Sequence, residues 1–239
     1  MEAMEINQSR LLVIGGTGFI GRYVVKEALK RNFSLTVLSF KEVTEENRVS
    51  QVEYIQADTT DFQELKAKIS GIDFNYVINL GGYIDHSSFK FGGRKVIDDH
   101  YKSVLNIVEI LNWDCLKSFL QVGSSNEYGD NSAPQKEDDR ERPFSPYSLA
   151  KVSASQTLQM LNQVEGFPAI VIRIFLVYGP GQTQDRFIPQ IIKGCVNNED
   201  FETSSGIHFN DFTYVEDIAV GIMDLLVCQE AIGQVVNLA

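Results

Sequence analysis

The sequence predicts an α/β chain built on a doubly wound parallel sheet, and three observations predict it. Leu11–Ile14 is a short apolar run of the kind found in strands buried on both faces. It leads straight into Gly15-Gly16-Thr17-Gly18-Phe19-Ile20-Gly21, a glycine turn that opens a helix. Such a turn lets the backbone approach a pyrophosphate and aims free helix N–H groups at it. Beyond that point strand and helix patterns alternate, which implies βαβ units.

The elements follow in order. Strands are expected at Leu11–Ile14, Leu35–Ser39, Val52–Gln56, Tyr76–Leu80 and Phe119–Val122, with helices at Tyr23–Lys30, Phe62–Ile69 and Val96–Leu111 between them. The polar stretch Gly129–Arg142 breaks the periodicity and reads as an exposed loop over one edge. A sharp helix start follows, with Ser145 as N-cap and Pro146 at the first helical position, and this helix runs to about Gln163. The apolar strand Ala169–Val177 ends at Tyr178-Gly179-Pro180-Gly181. A short helix, Arg186–Val196, and the polar, turn-rich stretch Asn197–Asn210 come next. An amphipathic helix, Thr213–Val227, and a strand, Gln234–Leu238, close the chain. Residues 1–178 and 211–239 are therefore expected to form a dinucleotide-binding domain. Residues 179–210 read as part of a small substrate lobe whose remainder is expected beyond residue 239.

With 239 residues, 44% of them hydrophobic and 22% charged, the chain can bury a full core. A net charge of −11 argues against nucleic acid or an anionic membrane as partner. Helix N-termini and a few cations can still hold an anionic small molecule. Met1-Glu2-Ala3-Met4-Glu5 carries neither a basic nor an apolar leader region, and no apolar run approaches membrane-spanning length, so a cytoplasmic protein is expected. The three cysteines, Cys115, Cys195 and Cys228, are widely spaced and odd in number. They fit neither a metal site nor a disulfide framework and read as buried, inert thiols.

Chemistry concentrates in three residues. Tyr147 and Lys151 stand at i and i+4 on the helix begun by Ser145-Pro146 and share a face. An ammonium beside the phenol favours the phenolate and is expected to lower the Tyr147 pKa, making it a usable proton donor or acceptor. Ser124 follows the strand Phe119–Val122, at the carboxyl end of the sheet where doubly wound folds bind ligands. Its hydroxyl can hold a substrate oxygen while Tyr147 exchanges the proton.

With these pieces in order the chain resembles the extended short-chain dehydrogenases/reductases, specifically the NAD-dependent epimerase/dehydratase family of nucleotide-sugar enzymes. The resemblance rests on the glycine turn Gly15–Gly21, on Val122-Gly123-Ser124-Ser125-Asn126-Glu127-Tyr128-Gly129 and on Ser145-Pro146-Tyr147-Ser148-Leu149-Ala150-Lys151. It continues through Val177-Tyr178-Gly179-Pro180-Gly181, Arg186-Phe187-Ile188-Pro189 and Asp211-Phe212-Thr213-Tyr214-Val215-Glu216-Asp217-Ile218. It implies a Rossmann domain in which Tyr147 is the acid/base, Lys151 its activator and nicotinamide-ribose ligand, and Ser124 the substrate-oxygen holder. It also implies Asp58 and Thr59 near the adenine, Leu80-Gly81-Gly82 along the cofactor, Phe175 and Val177 in the cofactor site, and Tyr83, Ser125, Asn126 and Arg186 toward the substrate.

An acidic residue at the end of the second strand would select NAD. Here Ser39-Phe40-Lys41 occupies that place, and a hydroxyl beside a cation suits a 2′-phosphate. NADP(H) is therefore favoured, with NAD(H) the alternative. NADPH in turn points to reduction of a 4-keto sugar, and the segment from Tyr178 through Val220 is softly similar to 4-ketoreductases of the CDP-abequose synthase type. An NAD-dependent 4-epimerase is the alternative, and a cofactor-sensing module without chemistry a distant one that the intact Tyr147/Lys151 pair disfavours. Dehydration is disfavoured because Ser125-Asn126 stands where similar dehydratases carry an acidic pair. Two departures are noted: His100, where asparagine is usual and a helix-surface histidine is an equal reading, and Asn210, where a phosphate-binding arginine is usual. By analogy a homodimer is expected through Val96–Leu111 and Pro146–Gln163.

Overall fold

In a computed structural model, which describes residues 9–200, 202, 205 and 210–239, the alternation becomes one seven-stranded sheet. The strands are β1 (Arg10–Ile14), β2 (Ser34–Ser39), β3 (Val52–Gln56), β4 (Tyr76–Asn79), β5 (Ser118–Val122), β6 (Ala169–Ile174) and, last in the chain, β9 (Val235–Leu238). They lie in the order β3-β2-β1-β4-β5-β6-β9, and every pairing is parallel. The order reverses between β1 and β4, which makes the carboxyl ends of those two strands the crevice where ligands bind in open α/β sheets. The fold is Rossmann-like. The leader segment Met1–Glu5 and parts of the polar stretch (residues 201, 203, 204 and 206–209) lie outside the described residues.

Side chains along each buried strand alternate between two cores. Leu11 and Val13 of β1 join Val37, Ile78, Leu120 and Ile172 under helices α1 (Phe19–Lys30) and α7 (Val215–Val227). Leu12 and Ile14 face the other way, with Leu38, Val77, Phe119 and Val171. That side is covered by α2 (Phe62–Ile69), by α4 (Ser103–Ile110), which continues from α3 (Gly93–Ile97), and by α5 (Pro146–Glu165). Each fully buried Leu, Ile or Phe contributes about 1.5–3 kcal/mol over its exposed state, so both faces stabilise the sheet that carries the site. Helix starts are fixed locally. Asp61 Oδ1 accepts from the Gln63 and Glu64 N–H groups at 3.0 Å to cap α2. Ser145 and Ser148 form a reciprocal cap ahead of α5, with Pro146 in its first turn and Gly166 (φ +74°) ending it.

Several expected boundaries shift. The strand Ala169–Val177 is two strands: β6 ends with its partner β9 at the Ile174–Leu238 pair, and β7 (Leu176–Tyr178) leaves to pair with β8 (Phe212–Tyr214). The helix expected from Thr213 starts only after β8, because those residues are drawn into pairing with β7. The first helix begins at Phe19 rather than Tyr23, and β4 ends at Asn79. The helix α6 (Phe187–Asn197) has Arg186 as its N-cap rather than its first residue. Val96–Leu111 is not a uniform helix: between α3 and α4 the chain makes a π segment, Asp98–Lys102. Nor are the thiols uniformly buried, since Cys115 and Cys228 are half-buried and Cys195 is exposed. No helix among the described residues is long and apolar enough to cross a membrane.

Candidate active site

The site is assembled at the carboxyl ends of β1, β2, β4 and β5. At the end of β1 the chain turns through Gly15 (φ +77°), whose N–H reaches the Leu38 carbonyl at 2.9 Å and whose carbonyl accepts from the Gly18 N–H at 3.0 Å. A side chain on Gly21 would overlap the Gly15 carbonyl and Gly16, so glycine there permits helix and strand to meet. No side chain caps α1 and no acidic residue stands in its first turn. Its N–H groups and positive dipole end are thus open to an anion. Thr17 and Gly18 are exposed on this turn and Phe19 and Ile20 half-buried. From α1, Arg22 Nη2 donates to the Gly181 carbonyl at 2.5 Å and the Tyr23 hydroxyl to that of Pro180 at 2.9 Å, drawing the Gly179–Gly181 loop against the turn. These residues fit the pyrophosphate of a dinucleotide.

Ser39 and Lys41 follow on the neighbouring strand. The buried Ser39 hydroxyl donates to the Lys41 carbonyl at 2.6 Å, and Lys41 is exposed. Beyond β3, the Asp58 carboxylate accepts from the Thr60 N–H (2.8 Å) and hydroxyl (2.7 Å), and Asn106 donates to the Thr59 carbonyl at 2.9 Å. Leu80-Gly81-Gly82 leaves β4 directly beside the glycine turn; a side chain on Gly15 would press on the Leu80 backbone.

Ser124, Tyr147 and Lys151 are brought together, though not in the way the i, i+4 spacing suggested. Ser124 caps the short turn Ser125–Glu127, accepting from the Asn126 N–H at 3.2 Å; Ser125 and Asn126 are half-buried there. The Tyr147 ring is 5% exposed and gripped edge-on by His86 and His100, with ring centroids 5.8 and 5.1 Å away. Burial pushes its pKa up and the Glu127 charge adds to this, while the neighbouring Ser124 hydroxyl and the Arg186 charge only partly oppose it. This corrects the expected lowering. Lys151 does not touch the hydroxyl. Its Nζ donates to the Val122 carbonyl at 3.0 Å and lies 5.9 Å from the centre of the Tyr147 ring. Burial brings its own pKa down to about 8, with Glu127 acting against the shift.

His100 is a buried residue and not a surface one. Within the π segment its ring enters the space left by Gly82, where any side chain would collide with it. Its Nε2 accepts from the Tyr83 N–H at 3.4 Å, while Nδ1 has no protein partner. Burial, and then the Lys151 charge, push its pKa down to about 3. Tyr83 itself is 44% exposed and donates to Asp99 at 2.6 Å; burial and Asp99 raise its pKa to about 12. Phe175 is half-buried at the break between β6 and β7, and Val177 packs against the first core.

Sequence reasoning missed the polar layer beneath these residues. Asn79 accepts from the Gly81 N–H (3.0 Å) and donates to Gln121 (2.9 Å), which donates to the Val122 carbonyl (3.1 Å) that also receives Lys151. Glu127 and Arg173 are fully buried and paired at 3.0 Å. Arg173 also reaches Glu141 at 2.6 Å, so the loop read as merely exposed is pinned from below. The available signal was polar residues set in apolar strands: Asn79, Gln121 and Arg173.

Comparison with known proteins agrees with this construction. The model of the NAD dependent epimerase/dehydratase family matches residues 11–239. A UDP-glucuronate 4-epimerase of Thermodesulfobacterium geofontis is 27% identical, over 88% of this chain and 69% of its own length. A dTDP-4-dehydro-6-deoxyglucose reductase of Escherichia coli is 24% identical, over 92% and 73%. Among solved structures, the epimerase Mth375 of Methanothermobacter thermautotrophicus superposes with a TM-score of 0.84 at 23% identity, covering 99% of this chain and 73% of that one. With the glycine turn, the crevice and these matches in agreement, the chain belongs to the NAD-dependent epimerase/dehydratase family of extended short-chain dehydrogenases/reductases.

Proposed function

We propose that the enzyme transfers hydride at C4 of a nucleotide-linked hexose, and that its direction is reduction of a 4-keto sugar with NADPH. The observation that carries this reading is the convergence of three side chains at the carboxyl end of β5: Ser124 on its turn, the buried Tyr147 phenol, and Lys151 anchored on the Val122 carbonyl 5.9 Å from the Tyr147 ring centre. In its protonated form that phenol can give a proton to a substrate oxygen. Ser124 holds the C4 carbonyl oxygen and Tyr147 protonates it as it gains charge. Lys151, anchored on the Val122 carbonyl, would supply positive charge toward the developing anion and, with the dinucleotide bound, a donor for its ribose. When bound, the nicotinamide supplies the hydride that reaches C4.

Cofactor choice is read from the end of β2. No carboxylate follows Ser39 at the end of β2, and an exposed cation, Lys41, lies two residues on, which supports NADP(H) over NAD(H). Arg186, Tyr83, Ser125 and Asn126 are the residues proposed to face the sugar or its phosphates. A second reading, NAD-dependent 4-epimerisation, is favoured by relatives such as the UDP-glucuronate 4-epimerase. We also infer a homodimer through the α3–α4 and α5 face, where Leu105, Leu149, Met160 and Val164 are exposed.

The deciding experiment incubates the protein with NADPH or NADH and a panel of nucleoside-diphosphate 4-keto-hexoses, and with the corresponding 4-hydroxy sugars. Stoichiometric NADPH oxidation that falls about 10²–10⁴-fold in Tyr147→Phe, with cofactor affinity retained, is the expected result. Interconversion of C4 epimers without net cofactor consumption overturns the reductase in favour of the epimerase. Turnover unaffected by Tyr147→Phe overturns both.

A further inference from the structure

We propose that His86 is a substrate-binding residue, whose imidazole holds the sugar hydroxyl next to the reacting carbon. This extends the reading of Ser124, Tyr147 and Lys151 as the reacting groups and rests on it. His86 stands in the connection between β4 and α3. Its ring meets that of Tyr147 edge-on, with centroids 5.8 Å apart and planes at 83°. The two imidazoles at this phenol are in contrasting situations. His100, at 5.1 Å, is buried and its Nε2 is taken by the Tyr83 N–H, so the space it fills is closed to a ligand. His86 is exposed, and among the described residues it has no hydrogen-bond or ion-pair partner. It is the imidazole at the Tyr147 ring that a ligand can reach.

The chain around His86 is built to hold it there. Asp85 Oδ1 accepts from the Ser87 N–H at 2.7 Å, bracing the backbone on either side of the histidine. The Ser88 carbonyl then accepts from the Phe91 N–H at 2.9 Å and the Gly93 N–H at 3.0 Å. Gly93 is buried, and a side chain there would overlap Pro146 and the backbone of Ser87 and Ser88. Pro146 opens α5, the helix that carries Tyr147, so glycine at 93 seats the loop directly against the helix of the reacting phenol. Packing alone does not call for histidine, because phenylalanine offers the same edge-on contact. What a neutral imidazole adds is one donor and one acceptor, and a hydroxyl can answer either. Ser124 and Tyr147 are assigned to the oxygen at C4, and Lys151 is anchored on the Val122 carbonyl. Of the two ring carbons bonded to C4 of a hexose, C3 carries a hydroxyl and C5 does not. The C3 hydroxyl is therefore the group assigned to His86.

The test compares wild type with His86→Phe, which keeps an edge-on ring and loses both nitrogens. Each is assayed on a nucleoside-diphosphate 4-keto-6-deoxyhexose and on its 3-deoxy counterpart. Wild type is expected to prefer the 3-hydroxylated sugar by about ten- to a hundredfold in kcat/KM, and His86→Phe by less than about threefold. Undiminished preference in His86→Phe, with turnover still lost in Tyr147→Phe, overturns the proposal and leaves the hydride-transfer reading standing. An equal loss on both sugars reduces His86 to packing and also overturns it. A second readout needs no turnover: NMR of the protein carrying isotope-labelled histidine, with the His86 signals assigned from His86→Phe. Those signals are expected to move when a nucleotide sugar of the panel binds and to stay in place with the nucleoside diphosphate alone. Signals unmoved by every sugar that binds overturn the proposal by itself. A panel in which no sugar binds overturns it together with the reading beneath it.

Discussion

Acidification tests the placement of His100 most sharply. The ring is 4% exposed, its Nδ1 lacks a protein partner, and its pKa is pushed from the ordinary 6.5 down to about 3. The unfolded chain therefore binds a proton below pH 6.5 that the folded chain refuses, so stability falls as pH falls through the window from 6.5 to 3. At one pKa unit per 1.36 kcal/mol, the loss between pH 7 and pH 5 is about 2 kcal/mol, and it reaches about 4 kcal/mol by pH 3. Asp85 and Asp99 favour the charged ring, but burial and Lys151 outweigh them. The assay is urea unfolding of the wild type and of His100→Asn at pH 7 and pH 5, following circular dichroism. Asparagine keeps a polar side chain without a titrating ring, so the variant should lose about 2 kcal/mol less than the wild type over this interval. Equal losses in the two proteins would refute the buried, neutral histidine and the packing that places it against Tyr147.

Three further outcomes follow from the same geometry. Gly21→Ala should weaken dinucleotide binding and cost about 1–3 kcal/mol of stability, because the added carbon meets the Gly15 carbonyl; calorimetric titration and thermal unfolding measure both. Lys41→Ala should raise the KM for NADPH about tenfold while leaving that for NADH within a factor of about two, as expected when a phosphate loses one charge-assisted partner; a parallel change for both cofactors removes the case for 2′-phosphate recognition. With the Lys151 pKa brought down to about 8, turnover should decline as pH rises through about 8, and a profile flat to pH 9.5 argues against a charged Lys151 in the reaction.

The order of strands, the glycine turn and the start of α5 were legible because each depends on local rules. β-branched runs, glycine at a left-handed turn, and Ser145 ahead of Pro146 carry their conformations in a few neighbouring residues. The π segment was not legible: its polar and apolar residues keep a helical rhythm, and the insertion is decided by His100 entering the space beside Gly82. The departure of β7 was hidden for a related reason. Leu176 and Val177 are good strand residues whichever partner they choose, and only β8, far along the chain, determines that choice. Glu127 and Arg173 could be seen as oddities in apolar surroundings, but their partnership spans two segments and needs the fold to appear.

The Tyr147 result carries the most weight, because there the sequence expectation had the wrong sign. Spacing on a helix puts two Cβ atoms on one face, yet the pKa depends on where the functional atoms end. Lys151 reaches down to the Val122 carbonyl, and the two histidines withdraw the Tyr147 ring from water. A phenol held above its usual pKa is a weaker acid whose phenolate is a stronger base, so what separates the two reactions is the form present before substrate binds. A reductase begins its cycle with the phenol protonated, whereas an epimerase holding oxidised cofactor begins it with the phenolate. If the reductive reading holds, adding cofactor alone should leave the tyrosine protonated near neutral pH. Ultraviolet difference titration of wild type against Tyr147→Phe, with NADP(H) present, reads this directly. A phenolate signal assignable to Tyr147 and growing in near pH 7 would shift the balance to the reversible, epimerising chemistry.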